Sequence, residues 1–101
     1  MPAAGESCLV VVRGPNAGSR FMLYKDVTTL GREGDSDVLL NDVTVSRAQA
    51  EILRQDRSWV LVDRGSMNGT YVNGARIEAR VRLAHGDQLQ VGRFVIFFLQ
   101  P

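Results

Sequence analysis

The stretch Gln88-Leu89-Gln90-Val91-Gly92-Arg93-Phe94-Val95-Ile96-Phe97-Phe98-Leu99 decides the fold. Leu89-Gln90-Val91 alternates apolar and polar side chains, the period of a half-buried strand. Gly92-Arg93 is a short turn. Phe94 to Leu99 is then apolar on both faces, which suits a central strand covered on two sides. Its aromatics therefore read as core rather than as a platform for stacking ligands. The partner expected for it is the β-branched run Cys8 to Arg13 near the start of the sequence.

Outward from this hairpin the chain is short apolar runs broken by turn residues. Gly14-Pro15-Asn16-Ala17-Gly18 separates Cys8–Arg13 from Arg20–Tyr24. Val27–Gly31 and Asp37–Leu40 follow. Ala50–Arg54 and Ser58–Asp63 pair across Gln55-Asp56-Arg57, and Trp59 reads as core. Thr70–Val72 precedes Asn73-Gly74, the dipeptide that most favours positive φ at both central turn positions. Arg76-Ile77 and Val81–Leu83 complete the set. No window sustains a helical i, i+3, i+4, i+7 pattern. About eleven short strands at near-regular spacing predict an all-β sandwich of two sheets. A tail is expected over residues 1–7 and the domain over 8–100.

At 101 residues the chain is one domain, and 45% hydrophobic with 23% charged residues places it in the ordinary globular class. A net charge of +1 argues against a general nucleic-acid or membrane binder. Cys8 is the lone cysteine and His85 the lone histidine, so neither a disulfide within the chain nor a metal cluster is expected, and no cofactor. Residues 1–7 have no secretory signature, and no apolar run approaches the roughly 20 residues of a membrane span. A cytoplasmic monomer is expected. There is no Gly-x-Ser-x-Gly elbow to make a nucleophile of Ser46, and His85 sits in a polar turn, so the chain is not expected to be an enzyme.

Three segments carry the candidate chemistry: Gly31-Arg32, Ser46-Arg47-Ala48-Gln49 and Gly65-Ser66-Met67-Asn68-Gly69-Thr70. Gly31 lets the backbone turn so that Arg32 leans across the loops. An arginine fork pairs well with phosphate oxygens. Alone, Arg32 reads more readily as a surface cation paired with Glu33, Asp35 or Asp37. Ser46 offers a hydroxyl beside a backbone N–H, with Arg47 as a second cation; alone it reads as a helix cap. The amide of Asn68 both donates and accepts, so it can clip an extended peptide backbone, or else satisfy its own turn. The shared implication is an anion with several acceptor oxygens, best a phosphate.

In this order, with His85-Gly86-Asp87-Gln88-Leu89-Gln90-Val91-Gly92 downstream, the segments closely resemble a forkhead-associated (FHA) domain, a phosphothreonine-peptide binding module. The resemblance spans about Leu9 to Leu99. It implies that Arg32, Ser46 and Arg47 hold the phosphate, and that Ser66, Met67 and Asn68 meet the peptide backbone or line a pocket for the threonine methyl. Thr44 becomes a specificity contact, with Gly31, Gln49, Gly69 and Asn73 as structural support. The binding loops would share one end of the sandwich. Two positions depart from the pattern. Gln49 stands where the family usually has an architectural histidine, so one of its bonds would be replaced and loop order weakened. Met67 replaces a small hydroxyl residue found in some members.

Gly14–Phe21 and Asp42–Arg47 look most like small bacterial FHA regulators of 2-oxoglutarate metabolism that act downstream of Ser/Thr kinases. Those implied partners are phosphothreonine-containing proteins, a Ser/Thr protein kinase and metabolic enzymes. Phospho-independent docking on metabolic enzymes is the alternative. Such regulators carry a phosphorylatable threonine in an N-terminal tail, and no threonine precedes Cys8, so a self-inhibitory switch of that kind is not expected within this chain.

Overall fold

The computed structural model describes residues 6–101. Eleven strands form two sheets: β1 Ser7–Arg13, β2 Arg20–Leu23, β3 Val27–Gly31, β4 Val38–Leu39, β5 Ala50–Gln55, β6 Ser58–Asp63, β7 Thr70–Val72, β8 Ala75–Arg76, β9 Val81–Arg82, β10 Gln88–Val91 and β11 Phe94–Leu99. One sheet has the order β2-β1-β11-β10-β7-β8 and the other β4-β3-β5-β6-β9. The all-β, two-sheet architecture read from the sequence is the one present. The expected tail over residues 1–7 lies mostly outside the described residues; within them, β1 begins at Ser7, which pairs with Leu23.

The closing hairpin follows its pattern on the inner face only: Val95, Phe97 and Leu99 of β11 are half-buried on the outer face of the sheet, so Phe97 is not the core aromatic the sequence suggested. Leu89 and Val91 of β10 are buried between the sheets, while Gln90 faces solvent. Strand β11 lies between β10 and β1, with Cys8 opposite Leu99 and Val11 opposite Ile96. Phe94, Ile96 and Phe98 are completely buried and join Leu9, Val11, Leu30, Ile52, Leu61 and Leu89 in a single core. Truncating Phe94 or Phe98 to alanine would cost about 3–5 kcal/mol through lost burial and the cavity left behind. Trp59 is buried against the same core and donates its indole N–H to Ser7 Oγ at 3.1 Å.

Turn lengths differ slightly from the sequence reading. Gln55 pairs with Ser58, so β5 and β6 are joined by the two residues Asp56-Arg57, and Asp56 takes the left-handed conformation (φ 57°). Asp tolerates that region because its short side chain can bond locally. Asn73-Gly74 has positive φ at both positions (50° and 86°), as the dipeptide predicts.

Strand directions sort the loops into two poles. β3 and β6 run toward one pole and β5, β7 and β11 run away from it, because β3–β5, β5–β6 and β10–β11 are antiparallel. The connections β3–β4, β4–β5, β6–β7 and β10–β11 therefore share a rim. The Asp56-Arg57 turn, Asn73-Gly74 and His85 sit at the opposite pole.

Candidate functional site

At the rim, Gly31 ends β3 and Arg32 begins the exit loop. A Cβ on Gly31 would collide with the Arg47 carbonyl oxygen and lie 3.3 Å from the Gln49 nitrogen. Its φ is not positive, so this glycine is required by close passage of the β4–β5 loop rather than by a special turn. That passage is fixed by the Arg32 N–H to the Ser46 carbonyl (3.1 Å), the Glu33 N–H to the Arg47 carbonyl (3.2 Å) and the Gln49 N–H to the Leu30 carbonyl (3.1 Å). Arg32 is half-buried, and its Nε donates to the Val45 carbonyl at 3.0 Å. Its Nη groups have no partner among the described residues. The surface ion pair with Glu33, Asp35 or Asp37 does not form; Asp37 pairs with Lys25 at 2.7 Å. A half-buried cation aimed by its own Nε and left without a counter-ion has the donors to pair with an anion.

Ser46 stands beside it. Its Oγ accepts the Met67 N–H at 2.9 Å, which leaves the hydroxyl proton without an acceptor among the described residues. Gln49 is 1% exposed and latches the two loops together. Its Oε1 accepts the Ser46 N–H (2.9 Å), and its Nε2 donates to the Gly69 carbonyl (3.0 Å) and Thr70 Oγ1 (3.1 Å). This corrects the expectation of one replaced bond: the amide reaches three partners. Asn68 is exposed and donates to the Thr44 carbonyl at 3.1 Å, which leaves its carbonyl oxygen and one N–H without a partner among the described residues. Arg32, Ser46, Met67, Asn68 and Thr44 are thus joined bond to bond at one rim.

The family model described as FHA domain matches residues 28–92, well over half of the chain. The chain is an FHA domain. It is 52% identical to the oxoglutarate dehydrogenase inhibitor of Corynebacterium diphtheriae over 98% of this chain and 68% of that protein. Identity is also 52% to the glycogen accumulation regulator GarA of Mycobacterium tuberculosis, over 94% of this chain and 58% of the relative. The chain therefore spans about three fifths to two thirds of these relatives. A solved structure from work on phosphothreonine-dependent FHA domain interactions superposes with a TM-score of 0.86 at 29% identity, covering 95% of this chain and 97% of that one.

Within this FHA rim, several residues sit differently from the sequence expectation. Ser66 is 7% exposed and its hydroxyl donates to Asp63 Oδ1 at 2.6 Å, so its proton is spent inside the loop and it does not line the open rim. Asn73 does not support the site. Strand β7 carries it to the opposite pole, where its amide donates to Asp87 Oδ1 (3.0 Å) and accepts the Gln88 N–H (2.9 Å). Thr44 is at the rim, but its hydroxyl donates to Asp42 and accepts the Arg93 N–H at 3.1 Å, so it braces the β10–β11 turn. Those bonds from the Thr44 hydroxyl and N–H, aided by Arg93, hold the Asp42 carboxyl below its ordinary value. Arg47 is exposed, makes no ion pair among the described residues, and lines a cavity of about 310 Å³ with Glu33, Glu51 and Arg64. Met67 is 86% exposed and meets Ser46 through its backbone. Gly69 has φ 85° and gives its carbonyl to Gln49, as a supporting residue must.

The residue the sequence reading missed is Asp63. It ends β6 and accepts four bonds: the N–H groups of Gly65 and Ser66 (3.0 Å each) and the hydroxyls of Ser66 and Thr70 (2.6 and 2.7 Å). Partial burial pushes its carboxyl up, but the bonds from Ser66, Thr70 and Gly65 outweigh it and hold the group below its ordinary value. The signal was available: an aspartate two residues before a glycine and three before a serine is a local turn former. A cavity of about 420 Å³ lined by Ser7, Arg54, Trp59 and Gln100 lies at the other pole and takes no part in this arrangement.

Proposed function

We propose that this FHA domain, over residues 8–100, is a non-catalytic reader of phosphothreonine in extended segments of partner proteins. One observation carries the reading: Arg32 is held by Val45 with its Nη groups unpaired, next to a Ser46 hydroxyl whose proton has no acceptor among the described residues. A phosphothreonine brings about −1.5 to −2 charge and three acceptor oxygens, which match those donors. Asn68, clamped to Thr44 on one side, is the residue for the peptide main chain, and the threonine methyl packs against the Met67 backbone beside Ser46. Similarity to an oxoglutarate dehydrogenase inhibitor and to a glycogen accumulation regulator supports metabolic enzymes among the partners; a Ser/Thr kinase as a further partner, a cytoplasmic location and a monomeric state belong to the same proposal.

The test is titration of matched peptides bearing phosphothreonine, phosphoserine, phosphotyrosine or plain threonine. The expected order places phosphothreonine first, ahead of phosphoserine by about tenfold or more, since one buried methyl is worth roughly 1–3 kcal/mol. Equal binding of phosphorylated and plain threonine peptides would refute the proposal. A second reading, docking without phosphate, is favoured by Val43 and Met67, which are 90% and 86% exposed at the same rim. Partner binding that survives Arg32→Ala combined with Ser46→Ala supports that reading instead.

A further inference from the structure

Arg76 lies outside the constellation above and has no role in it. It belongs to β8, opposite Tyr71 in the β7–β8 ladder, and its side chain turns back along the strand toward the rim. A methyl group built on Gly69 would sit 2.7 Å from Arg76 Nε and 3.0 Å from Cζ, so the guanidinium rests against the Gly69 backbone. Gly69 is fixed from both sides. Its φ of 85° suits glycine alone, and its carbonyl is bonded to the buried Gln49. The guanidinium is therefore seated on a rigid support one residue beyond Asn68. It is exposed, and it makes no ion pair or side-chain hydrogen bond among the described residues, although Glu78 is only two positions away. Arg80 and Arg82 continue along the same edge of the sandwich, again without ion pairs among the described residues.

Along the β6–β7 loop, Met67 touches Ser46, Asn68 touches Thr44, and Gly69 touches Arg76. Met67 and Gly69 are two positions apart, a span of up to about 7 Å. An extended peptide advances roughly 3.3 Å per residue, so a ligand held by Asn68 with its phosphate at Ser46 has side chains within about three residues of the phosphothreonine level with Arg76. A planar fork in that place suits a carboxylate.

Resting on the phosphothreonine reading, we infer that Arg76 is a specificity-determining residue that selects an aspartate or glutamate flanking the phosphothreonine. The preferred partner segment is then phosphothreonine in an acidic context, and the recognition has two cationic points on opposite sides of Asn68. The neighbouring Arg80 adds a longer-range, salt-sensitive attraction rather than a contact.

The experiment uses the full 101-residue chain and a phosphothreonine peptide with uncharged flanks, into which single glutamates are placed at each of three positions on either side. Expected is a gain of about two- to fivefold at one position, the range for a solvent-exposed ion pair. In Arg76→Gln that gain disappears, while affinity for the uncharged phosphopeptide stays within about twofold of wild type. Arg76→Lys keeps part of it. The inference is overturned if no position gains, or if the gain persists undiminished in Arg76→Gln. Failure of the uncharged phosphopeptide to bind the wild-type chain at all overturns the phosphothreonine reading itself, and this inference with it. Thermal melts of both variants, expected to match wild type because Arg76 is exposed, separate lost selectivity from lost structure.

Discussion

Replacing Gln49 by leucine isolates the latch between the two binding loops. Leucine keeps most of the volume of a side chain that is 1% exposed, so packing changes little. It removes the bonds to the Ser46 N–H, the Gly69 carbonyl and Thr70 Oγ1. At a net of about 1 kcal/mol each, the three are worth about 3 kcal/mol. The Gly69 carbonyl is then buried without a partner, adding about 1–2 kcal/mol, whereas the half-exposed Ser46 N–H can turn to water. The expected loss is about 3–5 kcal/mol, a large share of the 5–15 kcal/mol typical of a domain. At about 4–8 °C per kcal/mol the Tm falls by roughly 12 °C or more. Urea unfolding followed by fluorescence of Trp59, the one tryptophan, reads the change directly. Gln49→His retains a donor and an acceptor and should lose only about 1 kcal/mol. Phosphopeptide affinity should follow the same order, because Ser46 and Gly69 are positioned through this side chain. A loss below about 1 kcal/mol for leucine, at unchanged m-value, would show that the latch carries no weight.

Three further outcomes are expected. Gly31→Ala drives a methyl into the Arg47 carbonyl, so it should destabilise by about 1–3 kcal/mol and weaken phosphopeptide binding, read by urea titration and calorimetry. The folded-state carboxyl of Asp63 lies below its ordinary value of 3.8, so the stability it adds is complete above that pH and is lost as pH falls through the folded value. Asp63→Asn should therefore be less stable at pH 7 but show a flatter acid limb between about pH 5 and 2 in pH-dependent urea unfolding. Asp37, held low first by its bond from Lys25, and Asp42 titrate with the same sign and remain in that variant. Met67→Thr returns a hydroxyl to an 86% exposed position at no cost in packing, and should tighten phosphothreonine-peptide binding by about fivefold, measured by fluorescence anisotropy.

The sandwich was legible because its pattern is local: the alternation in β10 and the double-faced apolar run of β11 leave few alternatives. Arg32, Ser46 and Asn68 could be grouped because each follows a strand that points to the same rim. What escaped were relations between side chains and loops that spacing alone does not encode. Ser66 and Ser46 look alike as loop hydroxyls, but only Ser66 has an aspartate three residues earlier to absorb its proton. Asn73 is five residues from Asn68 in the chain, yet β7 rises roughly 3.3 Å per residue and carries it to the other pole. Gly31 was credited with freedom of turn, whereas its lack of a side chain makes room for a loop that arrives sixteen residues later. For Gln49, the number of bonds the amide makes depended on where Gly69 and Thr70 lie in space.

The side-by-side seating of β1 and β11, with Cys8 facing Leu99, sends both flanks of the domain out at the pole remote from Arg32. A segment attached ahead of Ser7 must retrace the seven residues of β1, about 20 Å, before drawing level with the binding loops. A ligand leashed there by fewer than about six extended residues cannot dock in cis, while a separate molecule faces no such limit. The strand order thus imposes a minimum tether length that sorts self-capture from capture of another protein.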